Sequence, residues 1–419
     1  MPVLQLGNDD LKVDIAAPQD WTFVAGDAVI GTVVRRSPIV TPEATLNVEL
    51  KGELKVNVAT AQVNKLQYSH SIQGHSCTID KQLWTSKPQE LVHGPLHIAD
   101  ASDPQAQSWP FELQLPLSFE TPSWYRPTRS RGSTLPNYQD IIRGPLPGSF
   151  SCFGDASTCW IEYYLKAELQ YSYGGKQKIC TSTYPVILRP LTGRVFEGFG
   201  SHQTDLHKTL HSHHLLPEKQ STNSSRSLKQ VTRELIGSSK VPQFAYKLEV
   251  VLPTTIQLSN PEYIPLKFRL FKLPKTSDSI KDNPPKIWLT SAKLSLTSQT
   301  YVYDELYCYQ VESAREPRCC TSFSDDLGLE KSFGTSMEMP LEDNSELDIG
   351  NQLQLVLHSN GLKAGTKHLK MLAKTRPISP NFYAHYIRHC NKLNMEFTTT
   401  VAGHTERMAC GTAITILPE

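Results

Sequence analysis

Five histidines lie close together in the middle of the chain and are its clearest candidates for metal ligands. They are His202, His207, His211, His213 and His214. Imidazole nitrogens bind zinc, and His207 and His211 would share one face of a helix if the segment were helical. The neighbouring residues are mainly Ser, Thr and Gln, and no Cys or Glu pair completes a tetrahedral set. We therefore predict a solvated linker rather than a metal site; weak, fortuitous zinc or nickel affinity is the alternative.

A second candidate is the sequence "LPNY", which is similar to the short motifs that WW domains bind. It consists of Leu135, Pro136, Asn137 and Tyr138. Proline and its neighbours favour the extended polyproline II conformation, which the aromatic grooves of WW domains accept at low entropic cost. The tyrosine adds a hydroxyl that orients the ligand. The motif therefore predicts a WW-domain ligand, with an ordered crossing loop as the alternative interpretation.

Three arginines precede this motif in the same segment between two predicted strands. They are Arg126, Arg129 and Arg131. Such side chains attract anionic lipid or acidic protein segments, although salt screens the attraction beyond about 8 Å. We interpret them as candidate basic contacts on a surface loop.

Sequence signatures of enzymes are missing. There is no G-x-S-x-G, no G-x-x-x-x-G-K-[ST], no H-E-x-x-H and no G-x-G-x-x-G. Catalytic triads are recognised by geometry, so missing motifs do not decide the question alone. They favour a protein without catalytic activity, and we expect no cofactor.

Composition excludes several classes of protein. The 419 residues include 42 Lys and Arg against 41 Asp and Glu, so there is no excess of basic charge for binding nucleic acid. No stretch is long and apolar enough for a membrane helix, and the N-terminus lacks the apolar core of a signal peptide. The nine cysteines follow no disulfide or zinc spacing. We expect a cytoplasmic protein with reduced thiols and at most peripheral membrane association.

Alternation of apolar and polar residues indicates the elements that carry these candidates. In "ATLNVELKGELKV", "FELQLP" and "EYYLKAELQY", every second residue is apolar. This period is typical of antiparallel strands with one buried and one solvated face. The turn "AGD" at residues 25–27 is expected to redirect the chain into a second strand. The sequence therefore predicts an all-β protein.

The alternation divides the chain into three parts. Residues 1–190 and 241–419 are predicted to form two immunoglobulin-like antiparallel β-sandwiches. Residues 191–240 are polar and rich in Ser and His, and only "SLKQVTRELI" has helical spacing. We interpret this range as a linker with a possible short helix. The two halves also begin alike, each with a strand, a turn and a returning strand.

The order of these motifs resembles the arrestin superfamily, in particular the arrestin-like (α-arrestin) proteins of fungi. In "FVAGDAVIGTVV", Gly26, Asp27 and Gly31 are similar to the family's first hairpin, with Ala25 in place of a proline. "LNVELKGELKV", in which Gly52 is expected to end a strand, "SWPFELQLPLSF" and "IEYYLKAELQY" follow in the family's order. "VPQFAYKLEVVLP" and "YIPLKFRL" resemble the start of its second domain.

The resemblance implies a non-enzymatic adaptor for membrane-protein trafficking. Its cargo would be the cytosolic tail of a transporter or receptor, linked to endocytic or ubiquitin-ligase machinery and recruited to the plasma membrane or endosomes. The family usually binds WW domains of HECT-type ubiquitin ligases through PPxY motifs, and this sequence contains none. The alternatives are a retromer-like coat scaffold and a secreted immunoglobulin-like adhesion module.

Overall fold

The computed structural model describes most of the chain. The described residues are 10–18, 21–35, 37–61, 74–98, 107–120, 143–154, 157–190, 195–215, 241–302, 318–327, 329–332, 336–341, 345–365, 367–368, 377–384 and 387–419. They form many antiparallel sheets and only two single-turn α-helices. The prediction of an all-β fold of sandwich type is confirmed.

The strands follow one another with few helical interruptions. The first thirteen are β1 (Leu11–Ile15), β2 (Phe23–Val24), β3 (Ala28–Arg35), β4 (Ile39–Ala61), β5 (Gly74–Thr85), β6 (Gln89–Ile98), β7 (Gln107–Gln114), β8 (Ser118–Glu120), β9 (Arg143–Pro145), β10 (Phe150–Phe153), β11 (Ser157–Tyr173), β12 (Lys176–Val186) and β13 (Leu188–Arg189). The later strands are β14 (His202–His211), β15 (Gln243–Leu252), β16 (Thr255–Gln257), β17 (Lys267–Lys272), β18 (Ile287–Val302), β19 (Arg318–Asp326), β20 (Met337–Met339), β21 (Leu347–Asp348), β22 (Leu355–His358), β23 (Gly361–Ala364), β24 (Lys367–His368), β25 (Phe382–Ala384), β26 (Ile387–Val401) and β27 (His404–Leu417). The short helices are α1 (Asp278–Lys281) and α2 (Ile349–Gln352), with 3-10 turns at His213–Leu215 and Leu329–Ser332.

Packing divides the chain into two compact units. The first contains Met1–Leu191, Gln299–Ser322 and Phe382–His389, and the second contains Thr192–Ser298, Phe323–Asn381 and Cys390–Glu419. Two segments that the sequence pattern assigns to the second sandwich therefore belong to the first unit. Alternation identifies strands but does not identify the core that each strand joins.

The core of the first unit lies against one face of the paired long strands β4 and β11. Leu46, Val48 and Leu50 on β4 are fully buried, and so are their antiparallel partners Leu169, Ala167 and Leu165 on β11. The smaller sheet, ordered β1-β3-β7, contributes further apolar side chains to the same core. Each fully buried leucine contributes about 2 kcal/mol. The predicted alternation is confirmed on both strands.

The second unit has its own core. Its sheets are ordered β14-β15-β17-β21 and β16-β27-β26-β18-β19. Phe268 on β17 and Phe397 on β26 meet edge to face between these sheets, with ring centroids 5.1 Å apart. Both rings are buried, so this contact fills the space between the two layers.

The two units repeat one arrangement of strands. In the first, β1 pairs with β3 and β3 with β7; in the second, β15 pairs with β17 and β17 with β21, all antiparallel. A short strand follows the first member of each set and pairs in parallel with a later strand: β2 with β13, and β16 with β27. The predicted strand, turn and returning strand are therefore present in both halves.

At two positions the local structure requires a glycine. Gly26 connects β2 to β3 within the predicted turn. Its φ of +92 is a backbone conformation that residues with a side chain rarely adopt. Gly52 lies inside β4 at a shift of register against β5, and does not end a strand as predicted. A Cβ there would lie 2.8 Å from the ring of Tyr163, so the glycine makes room for this buried side chain.

Part of the predicted linker is a strand. Residues 202–211 form β14, which pairs with β15 over its whole length, so the linker interpretation is wrong for these residues. The alternation is present but weak: Leu206 and Leu210 are half-buried, and polar residues separate them. The possible helix "SLKQVTRELI" lies outside the described residues.

The solvated face of β4 and β11 carries charged side chains in cross-strand rows. Glu162 lies directly opposite Glu53, and partial burial raises the pKa of Glu162, with a further rise from the Glu53 charge that opposes the lowering effect of Lys55. On the same face, Lys166 and Gln170 donate hydrogen bonds to Glu168 at 2.6 and 2.7 Å and lower its pKa. One carboxylate therefore disfavours the folded state when it is ionised, and the other favours it.

Replacing Gly26 with valine should lower the free energy of unfolding by about 1–3 kcal/mol, because a β-branched residue is strained at φ +92. The new Cβ would also lie 2.8 Å from Leu117, but that side chain is 73% exposed and is free to move. The cost should therefore persist in a Leu117→Ala background. Urea denaturation of the single and double variants measures it; full recovery in the double variant would assign the cost to crowding instead.

Glu162→Gln and Glu168→Gln should have opposite effects near pH 7. The first should raise the free energy of unfolding by at most about 0.5 kcal/mol, since it removes a partly desolvated carboxylate, and the second should lower it by a similar amount. The Glu168 contribution is lost as the pH falls through its lowered pKa, so the effect of Glu168→Gln should shrink progressively on acidification below the usual pKa of a glutamate. Equal effects of the two variants at neutral pH would contradict the opposite pKa shifts.

Candidate functional site

The sequence-predicted ligand loop lies outside the described residues. This applies to Leu135, Pro136, Asn137 and Tyr138, and also to Arg126, Arg129 and Arg131. Their prediction as a WW ligand and as basic contacts stays a prediction.

The histidine cluster is spread along an extended strand. His202, His207 and His211 lie on β14, where positions 207 and 211 share a face but are about 13 Å apart. His214 lies in the following turn, and its ring centroid is 6.2 Å from that of His404. Among the residues that the structure describes, no three His, Cys, Asp or Glu side chains are placed to hold a metal ion.

The strand β1 has one edge that no described strand covers. Ala16 donates to the carbonyl of Ile30 at 2.9 Å, which identifies the even-numbered residues as those that bond to β3. The N–H and C=O groups of Val13 and Ile15 therefore point to the other side. Val13 is buried toward the core, whereas Lys12 and Asp14 form a 2.6 Å ion pair on the solvated face.

The corresponding edge in the second unit is covered. There, β15 occupies the position of β1, and β14 pairs along its outer edge. The repeated architecture thus shows that this edge accommodates one more antiparallel strand. Within the described part of the first unit that place is open.

A buried arginine, Arg35, lies at the end of β3 directly opposite Leu11 of β1. Arg35 is only 3% exposed because β3 turns its odd-numbered residues inward, and Arg35 follows Val29 and Val33 in that pattern. Its Nε donates to the carbonyl of Ser37 at 3.1 Å. Its Nη1 is buried and has no hydrogen-bond acceptor among the described residues. A buried guanidinium with an unused donor is costly, and such groups in proteins are normally paired.

Two tyrosines and a lysine extend this basic position toward the solvent. The guanidinium carbon of Arg35 lies 5.4 Å from the centroid of the Tyr171 ring. Tyr171 pairs across the β11–β12 hairpin with Lys178, whose Nζ lies 4.6 Å from the ring centroid of Tyr173. Tyr173 is 58% exposed. This end of the sandwich therefore has two cations held by aromatic faces, close to the β11–β12 hairpin that contacts β1.

We define the Arg35 site as the open edge of β1 together with Arg35, Tyr171, Tyr173 and Lys178. The edge is suited to the backbone of an extended peptide, and the guanidinium to a carboxylate or phosphate. The sequence predicted a strand after the turn at residues 25–27, but not this role of Arg35. The signal was available, because continuing the alternation of β3 places Arg35 inward.

A cleft in the second unit is a weaker candidate. It has a volume of about 470 Å³ and is lined by His214, Pro285, Lys286, Trp288, Thr400, Ala402 and Gly403. Its cation, Lys286, already forms an ion pair with Glu338 at 3.0 Å. Lys286 therefore already has an anionic partner, unlike the Nη1 donor of Arg35, which is unpaired within the described part of the chain.

Comparison with models of known protein families and with curated proteins found no match to this chain. Nor does any helix among the described residues have the length and apolar character needed to cross a membrane.

Replacing Arg35 with methionine should leave the free energy of unfolding unchanged or raise it by about 1–2 kcal/mol. An apolar side chain of similar length removes a buried, incompletely paired charge while keeping the contact with Tyr171. Lys12→Met, at a solvated position on the neighbouring strand, is the matched control and should change little. Urea denaturation gives both values. A loss of several kcal/mol in Arg35→Met alone would show that Arg35 is a paired structural charge.

Proposed function

We propose that this protein is a non-enzymatic, arrestin-type adaptor for membrane-protein trafficking in the cytoplasm. Its cargo is an acidic or phosphorylated segment of a transporter or receptor tail, which adds as a strand along β1. Two features support this function: the series of arrestin-like motifs in the family's order, and the repetition of one strand arrangement in two compact units.

The observation that carries the proposal is the unused donor of Arg35 on β3, the strand paired with β1, whose other edge no described strand covers. Backbone hydrogen bonds to β1 give affinity for any extended peptide, but they do not select a sequence. The guanidinium would supply selection by turning outward when the peptide binds, because a carboxylate or phosphate then forms charge-assisted hydrogen bonds with this otherwise buried group. A cargo without an acidic group would leave the Arg35 donor unpaired.

The connection to other machinery rests on the sequence. The "LPNY" motif with Tyr138 would recruit a WW-domain, HECT-type ubiquitin ligase in place of PPxY, and the preceding arginines would assist peripheral contact with an anionic membrane. Such contacts act together, since membrane attachment raises the effective concentration of a weakly bound tail. The balanced charge of the chain offers no comparable support for binding nucleic acid.

The test is binding of fluorescent Ser- and Thr-rich peptides to the full chain, measured by polarisation. A phosphorylated peptide should bind, and its unphosphorylated form should bind at least about tenfold more weakly. N-methylation of alternate backbone amides in the phosphorylated peptide should abolish binding, because it prevents strand addition while keeping the charge.

Variants of the protein separate this site from general charge attraction. Arg35→Met should weaken binding of the phosphorylated peptide about tenfold or more, whereas Lys12→Met should have a smaller effect. Equal losses in both variants, or undiminished binding of the methylated peptide, would contradict the proposed site. Constitutive co-purification with coat subunits and no peptide binding would favour the coat-scaffold alternative.

A further inference from the structure

The outermost strand of the second unit, β14, is a long and regular edge. It pairs with β15 from His202 to His211 without a register shift, and no described strand pairs with its other side. The strand contains no proline and no glycine. Natural proteins usually shorten, bend or interrupt exposed edges to prevent pairing with another chain. The regularity of β14 therefore indicates a strand that pairs.

The hydrogen-bond pattern identifies the backbone groups that are available. Ser212 donates to the carbonyl of Pro242 at 3.1 Å, which continues the ladder between β14 and β15 and assigns the even-numbered residues of β14 to it. The N–H and C=O groups of Gln203, Asp205, His207 and Thr209 consequently point outward. The side chains of these four residues are exposed on the solvated face.

We propose that this edge is a homodimer interface, in which β14 pairs antiparallel with β14 of a second copy about a two-fold axis at Leu206. In a continuous sheet, even-numbered residues of one β14 must lie opposite even-numbered residues of the other, and odd opposite odd. The reason is that successive side chains alternate between the two faces of the sheet. With Leu206 opposite Leu206, Asp205 of each copy lies opposite His207 of the other. Gln203 lies opposite Thr209 in the same register.

The charged side chains favour this register over the two registers whose axis is shifted by one residue. A shift of the axis to residue 205 places two Asp205 carboxylates opposite each other, and a shift to residue 207 does the same with two His207 rings. The axis at Leu206 instead gives each carboxylate an imidazole, which is able to donate an N–H to it whether neutral or charged. The symmetry of the dimer creates this contact twice.

The surroundings on the same sheet are compatible with that contact. Lys247 Nζ lies 3.9 Å from Asp205 Oδ2 and also forms an ion pair with Glu249. Lys247 is directly opposite His207 within the monomer, so the cross-strand neighbour of His207 there is a cation, whereas the second copy supplies a carboxylate.

The opposite face of the edge contributes apolar contact. Leu206 and Leu210 are half-buried and pack against the core of the second unit. At the two-fold axis, the pair of Leu206 residues would form a close, non-hydrogen-bonded pair, in which side chains approach each other most nearly. Pairing would therefore cover apolar surface that the monomer leaves half-exposed.

The test is the mass of the full chain in solution, measured by sedimentation velocity over about a hundredfold range of concentration. The wild type should shift from monomer to dimer. Asp205→Lys should weaken dimerisation about tenfold, because a lysine cannot accept the N–H that His207 donates, and the contact is lost twice. The exchange variant Asp205→Lys with His207→Asp should restore it, since the same pair is then reversed.

A backbone variant tests strand pairing independently. Thr209→Pro removes an outward N–H without touching the ladder to β15 and should abolish the dimer, whereas Thr209→Ala should retain it. If Thr209→Pro is unfolded by circular dichroism, the charge-exchange variants decide. A wild type that stays monomeric would overturn the proposal, as would a dimer that is unaffected by Asp205→Lys or one that the exchange variant does not restore.

Discussion

The antiparallel pairing of β4 with β11 determines which side chains of the first unit reach its core. These are long strands, and their ladder extends from Ala44 opposite Tyr171 to Val58 opposite Ser157. Because successive residues alternate between faces, one fixed register sends a whole row of leucines inward and a row of charges outward. A slip by one residue would exchange the two rows. The other sheet of this unit packs on the surface that this register creates.

The same rule of alternation places a charge where the pattern calls for an apolar residue. Arg35 occupies an inward position at the end of β3, and burial there gives it an unused donor beside Tyr171. Aromatic contact reduces the cost of burying a guanidinium, but it does not replace an anionic partner. A local departure from a regular pattern is therefore the feature that best distinguishes a binding position from the surrounding scaffold.

Strands could be predicted from the sequence wherever alternation was strong. Leu165, Ala167 and Leu169 are examples, because apolar residues at every second position have few other ways to be buried together. The strand β14 was missed, since an edge strand covers less apolar surface and tolerates His, Lys and Thr at most positions. The place of Gly52 within β4 depended on the volume of Tyr163, which approaches it only after the strands pair. The Arg35 site likewise combines residues from β1, β3, β11 and β12, and their proximity is a property of the sheet topology rather than of any segment.

The two parallel strand pairs have a consequence for synthesis of the chain. In the first unit, the short strand β2 pairs with β13, and in the second, β16 pairs with β27. In both cases the partner strand is translated much later than the short strand. Bringing such distant segments together carries a loop-closure cost before any contact rewards it. While the ribosome is still producing the intervening strands, the edges and apolar faces of the earlier ones are exposed to other chains. Leu188 and Thr415 therefore mark the points in synthesis before which neither parallel pair is able to close.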